Sequence, residues 1–281
     1  MKKILILGSS GQIGNHLCHF LRSLDYDVFE FDLVNGSNQD LRTTNNSYLN
    51  SLIEQSDFIF FLAFDAGGSH YLKKYQTTFE FISNNMKIMA NTFELIKIYN
   101  RPFVFASSQM SNMHQSSYGT LKKIGENYTN SLNGIIVKFW NVYGIEKDES
   151  KFHVISDFIK MALTKGHINV RTSGIELRDF LYADDCCQGL VKIMEEYDEL
   201  DHAQEIHLAK FEWTSIAELA ALISRKLNVD FTLGEDQDTV QANIRNEPSK
   251  YFLNYWLPKI SLNDGVDKII NYFLTSEKIH S

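Results

Sequence analysis

The chain has 281 residues, of which 44% are hydrophobic and 13% aromatic, so it can bury a large α/β core and is not an intrinsically disordered protein. Its formal net charge of −8 excludes the basic surface that binding to a nucleic-acid backbone requires. A small molecule is therefore the expected partner.

Neither of the two apolar segments that could suggest export or membrane insertion has the required form. Residues 1–7 lead directly into glycines, without the longer apolar stretch and cleavage site of a signal peptide. The longest apolar run, residues 58–64, is far shorter than the roughly 20 residues of a membrane helix. Cys18, Cys186 and Cys187 form neither a disulfide framework nor a metal-binding motif. We therefore expect a cytoplasmic protein with reduced, packed cysteines and no metal site.

Short apolar runs alternate with longer amphipathic stretches along the first half of the chain. The runs at 3–7, 28–33, 58–63, 103–106 and 134–138 predict buried strands. Between them, the stretches at 13–24, 82–99 and 118–131 predict helices. This order is typical of an α/β fold with a doubly wound parallel sheet of the Rossmann type, covered by helices on both faces.

Beyond about Asn141 the alternation loosens, and the segments 154–165, 184–197, 215–227 and 261–274 predict further helices. We assign residues 1–150 to a dinucleotide-binding domain and residues 151–281 to a smaller mixed α/β lobe that covers the substrate. The chain has only three prolines and no low-complexity tract that could serve as a flexible linker. The two parts are therefore expected to be interleaved and to fold together.

The first predicted strand leads into a glycine-rich turn, Gly-Ser-Ser-Gly-Gln-Ile-Gly, which a predicted helix follows at once. Glycines let such a turn tighten and let the backbone approach a pyrophosphate, whose charge the helix N-terminal amides can meet. The alternative is a tight turn between strand and helix that binds no ligand. The candidate cofactor-binding residues in this turn are Gly8, Ser10, Gly11, Gln12, Ile13 and Gly14.

Asp32 ends the second apolar run, eighteen residues after Gly14. This spacing fits the acidic residue that accepts the hydroxyls of an adenosine ribose and repels a 2′-phosphate. A solvated aspartate at a strand end is the alternative. The position of Asp32 favours NAD over NADP.

Three side chains form the candidate catalytic group. Ser108 follows the predicted strand that begins at Phe103, and Tyr118 and Lys122 lie four residues apart on the next predicted helix. That spacing puts the phenol and the ammonium on one helix face, so Lys122 could lower the pKa of Tyr118 toward neutrality. A Tyr-x-x-x-Lys pattern also arises by chance in helices that pack on a sheet. The combination with a nucleotide-binding turn predicts an acid/base for alcohol and ketone interconversion.

Motifs along nearly the whole chain resemble those of the extended short-chain dehydrogenases/reductases, specifically the nucleoside-diphosphate-sugar epimerases, dehydratases and reductases. The glycine turn matches Gly-x-x-Gly-x-x-Gly, and the second half carries close matches to Asn-Val-Tyr-Gly-Pro and Arg-Asp-Phe-x-Tyr-Val-Asp-Asp. The remaining segments that carry the resemblance are Asp40-Leu41, Leu62-Ala63, Asn85 with Asn91 and Glu94, Asn141-Val142-Tyr143-Gly144, Arg178-Asp179-Phe180 and Tyr182-Ala183-Asp184-Asp185.

The resemblance implies an NAD-dependent enzyme in which Ser108, Tyr118 and Lys122 are catalytic, with Tyr118 and Lys122 also contacting the cofactor. It places Asp40, Leu41, Leu62 and Ala63 against the cofactor, and Asn85, Ser108, Gln109, Asn141 and Arg178 against the substrate, a nucleoside-diphosphate sugar.

A guanidinium such as that of Arg178 is a natural bidentate partner for phosphate oxygens. A structural ion pair of Arg178 with Asp179 or Asp184 is the alternative, and Asn141 could equally be a turn residue.

The chain departs from the family pattern in three places. Lys138 stands where Arg is usual, Ile145 replaces a proline, and only residues 109–117 separate Ser108 from Tyr118, where the family has a longer substrate-facing segment. The sugar pocket must therefore differ.

The residues after Ser108 disfavour two activities of the family. Gln109-Met110 stand where dehydratases have an acidic pair and where the fucose-synthase type has a cysteine. A redox epimerase or a ketoreductase remains, and Asp32 favours the epimerase because the reductases of this family often use NADPH. A dinucleotide-binding regulatory protein without activity is the alternative of another class.

The family dimerises by packing two helices of each subunit into a four-helix bundle. In this chain those helices would be 82–99 and 118–131, with Phe93, Ile96 and Tyr128 as outward-facing contacts. We therefore expect a homodimer.

Overall fold

The computed structural model describes residues 1–113, 115–146, 148–238, 240 and 247–280. Its strands are β1 (Lys3–Leu7), β2 (Asp27–Phe31), β3 (Phe58–Phe61), β4 (Phe103–Ser108), β5 (Ile135–Phe139), β6 (Asn141–Tyr143), β7 (His167–Thr172), β8 (Leu177–Tyr182), β9 (Ile206–Leu208), β10 (Trp213–Ser215) and β11 (Asp230–Asp236).

Its helices are α1 (Gln12–Ser23), α2 (Ser47–Gln55), α3 (Ser69–Tyr75), α4 (Phe79–Tyr99), α5 (Ser117–Ser131), α6 (Val154–Lys165), α7 (Ala183–Glu195), α8 (Ile216–Leu227) and α9 (Leu262–His280). None of the helices in the described ranges is long and apolar enough to cross a membrane.

A six-stranded parallel sheet in the order β2-β1-β3-β4-β5-β9 forms the centre of the molecule. Successive side chains of a strand point to opposite faces, so Ile4 and Ile6 of β1 pack with α1 and α7, whereas Leu5 and Leu7 pack with α2, α4 and α5. The predicted doubly wound, Rossmann-type sheet is confirmed. Because all six strands are parallel, their carboxyl ends meet at one edge, where ligands of such sheets bind.

The second half of the chain contributes both to this sheet and to a smaller lobe. Strand β9 pairs with β5 and completes the central sheet. The lobe contains the three-stranded sheet β10-β8-β6 and the ribbon β11-β7, which pack with α6, α8 and α9 around a separate apolar cluster. This lobe stands over the carboxyl edge of the central sheet and forms one wall of the cavity described below.

The outward face of α4 differs from the sequence expectation. Phe93 and Ile96 are only 2% and 1% exposed, because Phe93 packs its ring against Phe61 and Phe105 of the sheet. The prediction that these two residues face outward is therefore wrong, whereas Tyr128 of α5 is exposed. The apolar side chains that α4 does expose are Phe79, Ile82, Met86 and Ile98.

Candidate active site

A cavity of about 800 Å³ lies between the carboxyl edge of the central sheet and the smaller lobe. Its lining includes most of the glycine turn, the catalytic candidates and three of the substrate-binding candidates. The predicted residues that line it are Gly8, Gly11, Gln12, Ile13, Gly14, Leu62, Ser108, Tyr118, Lys122, Asn141 and Arg178. The fold thus brings candidates of all three kinds to a single cavity, whereas its lining does not include the cofactor candidates Ser10, Asp32, Asp40, Leu41 and Ala63.

The glycine turn is built for close approach of a ligand to the backbone. Gly8 has φ +89°, and a Cβ atom there would lie 2.7 Å from the amide nitrogen of Ala63. A Cβ atom on Gly14 would lie 2.0 Å from the carbonyl oxygen of Gly8. Gly11, the N-cap of α1, has no side chain to bond the first-turn amides. The glycine turn, here called the glycine cradle, and the uncapped first-turn amides of α1 fit the pyrophosphate of NAD.

Asp32 lies beside the glycine turn. One carboxylate oxygen accepts from the amide of Ser10 at 3.0 Å, and the other accepts from the amide of Val34 at 3.2 Å. The carboxylate therefore stands next to the pyrophosphate cradle, which is where an acidic residue selective for an unphosphorylated ribose has to be.

Asp40 and Leu41 have partners within the protein. The carboxylate of Asp40 forms a bidentate pair with the Arg42 guanidinium, at 2.8 Å for both the Nε and the Nη2 bond, and this hydrogen bonding lowers the pKa of Asp40. Leu41 is buried, and its carbonyl oxygen accepts from Asn91 at 2.8 Å. A contact of these two residues with adenine stays a prediction.

The first part of the short segment between Ser108 and Tyr118, residues 109–113, packs closely on α5. It forms a single turn of 3₁₀-helix at Gln109–Asn112, and Ser116 then caps α5 by accepting from the amide of Gly119 at 3.1 Å. A Cβ atom on Gly119 would lie 2.1 Å from the carbonyl oxygen of Met110. This close packing brings Tyr118 to the cavity within hydrogen-bonding reach of Ser108.

The electrostatics of the Tyr118–Lys122 pair differ from the sequence expectation. Burial raises the pKa of Tyr118 to about 12, although the hydrogen bond with Ser108 opposes this shift. The Lys122 ammonium turns to the carbonyl oxygen of Ala106, at 2.6 Å, and burial lowers the pKa of Lys122 to about 7. The expectation that Lys122 lowers the phenol pKa was wrong for this arrangement. Tyr118 is therefore a protonated phenol at neutral pH and can donate a proton.

Asn85 and Gln109 do not line the cavity. Asn85 is fully buried, its Oδ1 accepting from the amide of Asp65 at 2.7 Å and its Nδ2 donating to the carbonyl oxygen of the same residue at 3.1 Å. Gln109 is buried in the 3₁₀ turn, and its neighbour Met110 faces the cavity instead. The structure therefore does not bring these two residues to the cavity, and it gives Asn85 a role in holding the loop after β3; their contact with a substrate stays a prediction.

Arg178 faces the cavity from β8, but neither expected aspartate is its partner. Its Nη2 donates to Asp238 at 2.5 Å. Asp179 accepts instead from the amides of Lys210 and Glu212, and Asp184 pairs with Lys268. Asp238 lies sixty residues from Arg178 in sequence, so the sequence alone did not indicate this pairing.

Asn141 is half-buried on the cavity wall at the start of β6, where it pairs with Phe180 of β8.

Among the cavity residues that the sequence analysis did not name, two aromatic residues each adjoin a motif. Phe64 follows Leu62-Ala63, and Trp140 precedes Asn141. The Trp140 Nε1 donates to His207 at 3.2 Å. An aromatic residue within three residues of the end of a buried strand is the signal that could have identified both positions.

Lys138 lies fully buried beneath the site, and two carboxylates neutralise it. Its ammonium contacts Glu205 at 2.8 Å and Glu126 at 3.5 Å, and Ser107 donates to the same Glu126 oxygen at 2.5 Å. A buried charge without such partners would be strongly destabilising. The network fixes β4 and α5, which carry Ser108 and Tyr118, and β5, which Trp140 directly follows.

Residues 4–209 match the model of the NAD dependent epimerase/dehydratase family. Among curated relatives, the uncharacterized UDP-glucose epimerase YtcB of Bacillus subtilis is 26% identical, over 96% of this chain and 97% of that protein. UDP-glucuronic acid decarboxylase 1 of Arabidopsis thaliana is 24% identical, over 96% of this chain and 69% of that protein. A solved structure of UDP-glucuronic acid 4-epimerase from Bacillus cereus, with UDP-glucuronic acid and NAD, has a TM-score of 0.78 at 21% identity, covering 98% and 99% of the two chains.

Proposed function

Because the chain belongs to the NAD dependent epimerase/dehydratase family, we propose that it is an NAD-dependent epimerase of a nucleoside-diphosphate sugar. One observation carries the proposal. Ser108, Tyr118 and Lys122 line the same cavity as the glycine cradle, and Arg178 faces that cavity from the opposite lobe. A ligand with a diphosphate near Arg178 and a sugar near Tyr118 would therefore fit across the cavity.

The chemistry divides between cofactor and protein. The glycine cradle and Asp32 would hold NAD, which would accept a hydride from the sugar and later return it. The phenol oxygen of Tyr118 exchanges a proton with the sugar hydroxyl that becomes a ketone and is then restored. Ser108 hydrogen-bonds the phenol and lowers its pKa. Tyr118 thereby serves as the base in oxidation and as the acid in reduction.

The residues next to Tyr118 disfavour dehydration. The segment after Ser108 presents Met110 to the cavity, and it has no carboxylate that could remove a second proton from the sugar. A ketoreductase shares all the residues named above and differs in releasing an oxidised cofactor after each turnover. Because some relatives are decarboxylases of UDP-glucuronic acid, loss of carbon dioxide from the sugar is a third reaction that the experiment has to distinguish.

Isotope labelling tests the epimerase. Purified enzyme is incubated with UDP-sugars, including UDP-glucuronic acid, in deuterated water with catalytic NAD, and the products are analysed by NMR. We expect an inverted sugar without deuterium at the inverted carbon, because the hydride returns from the cofactor.

Other outcomes of the same experiment would reject the epimerase. In a parallel incubation with NADH and a 4-keto sugar, stoichiometric use of NADH, without inversion of any hydroxyl sugar in the first experiment, would establish the reductase. Release of carbon dioxide would establish a decarboxylase. Absence of any turnover, with NAD bound, would favour the regulatory protein.

We also propose a homodimer formed through α4 and α5, since α4 exposes the apolar stripe Phe79, Ile82 and Met86. We expect light scattering at micromolar concentration to give the mass of a dimer, and Ile82→Glu to give a monomer. Ile98→Glu is the matched control, because Ile98 lies about 120° around the helix from Met86. A wild-type monomer would reject the dimer.

A further inference from the structure

Phe64 lies against both members of the catalytic pair. It follows β3, lines the cavity and packs edge-to-face on the ring of Tyr118, with 5.6 Å between ring centroids and an interplanar angle of 85°. The Lys122 Nζ lies 3.8 Å from the centroid of the Phe64 ring. On its other side, Nζ donates to the Ala106 carbonyl at 2.6 Å. The ammonium is thus held between a carbonyl oxygen and an aromatic face, and Lys122 is only 3% exposed.

The position of Phe64 is fixed by the residue that follows it. Both backbone polar groups of Asp65 bond to the buried Asn85 amide, as described above. The carboxylate of Asp65 accepts from the Tyr71 hydroxyl at 2.6 Å and from Asn84 at 3.2 Å. Four hydrogen bonds therefore hold Asp65, and the ring of Phe64 has a defined place over Lys122.

We propose that Phe64 is a positioning residue for the Tyr118–Lys122 pair, whose ring holds the ammonium by a cation–π contact and keeps water away from it. This inference rests on the catalytic role proposed for that pair. An aromatic face attracts a nearby ammonium because of its quadrupole, most strongly where water is excluded. The ring therefore has two opposed effects on Lys122: its face favours the charged amine, whereas its bulk disfavours it by desolvation.

In the described part of the chain, the titratable groups recorded around Lys122 are Glu126 and Tyr118, both on its own helix. Glu126, one turn further along α5, raises the pKa of Lys122, and it is itself paired with Lys138 and Lys123. Tyr118 is the second such group, with 5.8 Å between its ring centroid and Nζ. From the other elements packed on Lys122, the described contacts are the Ala106 carbonyl and the rings of Phe64 and Phe105. Substitution of Phe64 therefore changes the surroundings of Lys122 without removing a charge.

Two substitutions separate the two effects of the ring. Phe64→Leu keeps an apolar side chain over Lys122 but removes the aromatic face, so the pKa of Lys122 should fall by about half a unit to one unit. Phe64→Ala admits water, so the pKa should rise from about 7 toward its usual value. Phe64→Tyr, which keeps an aromatic face, should restore the wild-type pKa. The measurement is an NMR titration of protein with ¹³C-labelled lysine, with the Lys122 signal identified by its loss in Lys122→Met.

The control is Phe58→Leu, which removes a ring from the other end of β3 where Lys2, rather than Lys122, lies over it at 5.4 Å. It should leave the pKa of Lys122 unchanged. Opposite shifts in the Leu and Ala variants of Phe64 support the proposal. Unchanged values, or shifts in the same direction, would overturn it. Because this titration uses no substrate, its outcome is independent of whether the chain proves to be an epimerase.

Discussion

Replacing Tyr118 by Phe is expected to lower turnover by two to four powers of ten, the range for loss of a general acid/base. The phenol hydroxyl is the group in the cavity that hydrogen-bonds Ser108 and can exchange a proton with the sugar. The ring remains in Phe, so the edge-to-face contact with Phe64 and the affinity for NAD should be nearly unchanged. Steady-state kinetics, together with titration of NAD by calorimetry, would measure both effects.

The matched control is Tyr128→Phe on the same helix. Tyr128 is exposed and stacks on Phe93, with 5.0 Å between ring centroids, away from the cavity lining. Its hydroxyl should make no contribution to turnover. If Tyr118→Phe retained most of the wild-type activity, another residue would move the proton, and the proposed acid/base role of Tyr118 would be wrong.

Replacing Asp32 by Ala is expected to weaken NAD binding by about ten- to a hundredfold, the range for loss of hydrogen bonds to a charged group. NADP should bind the wild type more weakly than NAD, because the Asp32 carboxylate would repel a 2′-phosphate. The variant should therefore reduce the difference in binding affinity between NAD and NADP. Fluorescence or calorimetric titration of both cofactors into wild type and variant gives the four dissociation constants needed.

Asp57→Ala is the control, because it also removes a carboxylate that accepts a hydrogen bond from a backbone amide. Asp57 accepts from the amide of Lys3 at 2.7 Å, but it precedes β3 and so lies at the amino edge of the sheet. Its loss should leave both cofactor affinities unchanged. A wild-type protein that bound NADP as tightly as NAD would contradict the role of Asp32 and remove the main support for an epimerase over a reductase.

The central sheet was predictable because its strands are buried on both faces and therefore appear as continuous apolar runs. Strand β1 was predicted at its observed bounds, and β3 and β5 within two residues at each end. The strands of the smaller lobe were not predicted. β6 and β10 have three residues each, and β11 is exposed along most of its length, so neither length nor hydrophobic pattern distinguishes them from loops.

The candidate site was predictable where spacing along the chain fixes geometry. Tyr118 and Lys122 share a helix face, and the glycines follow a strand directly, so both groups were located correctly at the cavity. Contacts between distant segments were not available from one sequence. The pairing of Arg178 with Asp238 and the packing of Phe64 on Lys122 depend on how the two lobes and the loops meet.

Strand β9 constrains the order in which the newly made chain can fold. β5 leaves the ribosome roughly 70 residues ahead of β9. During that interval the outer edge of β5 has no strand beside it, and the Lys138 ammonium lacks its partner Glu205. Residues 1–150, the predicted cofactor-binding domain, therefore lack one strand of the central sheet. Cotranslational completion of the nucleotide-binding half must wait until the chain has been synthesised past Leu208.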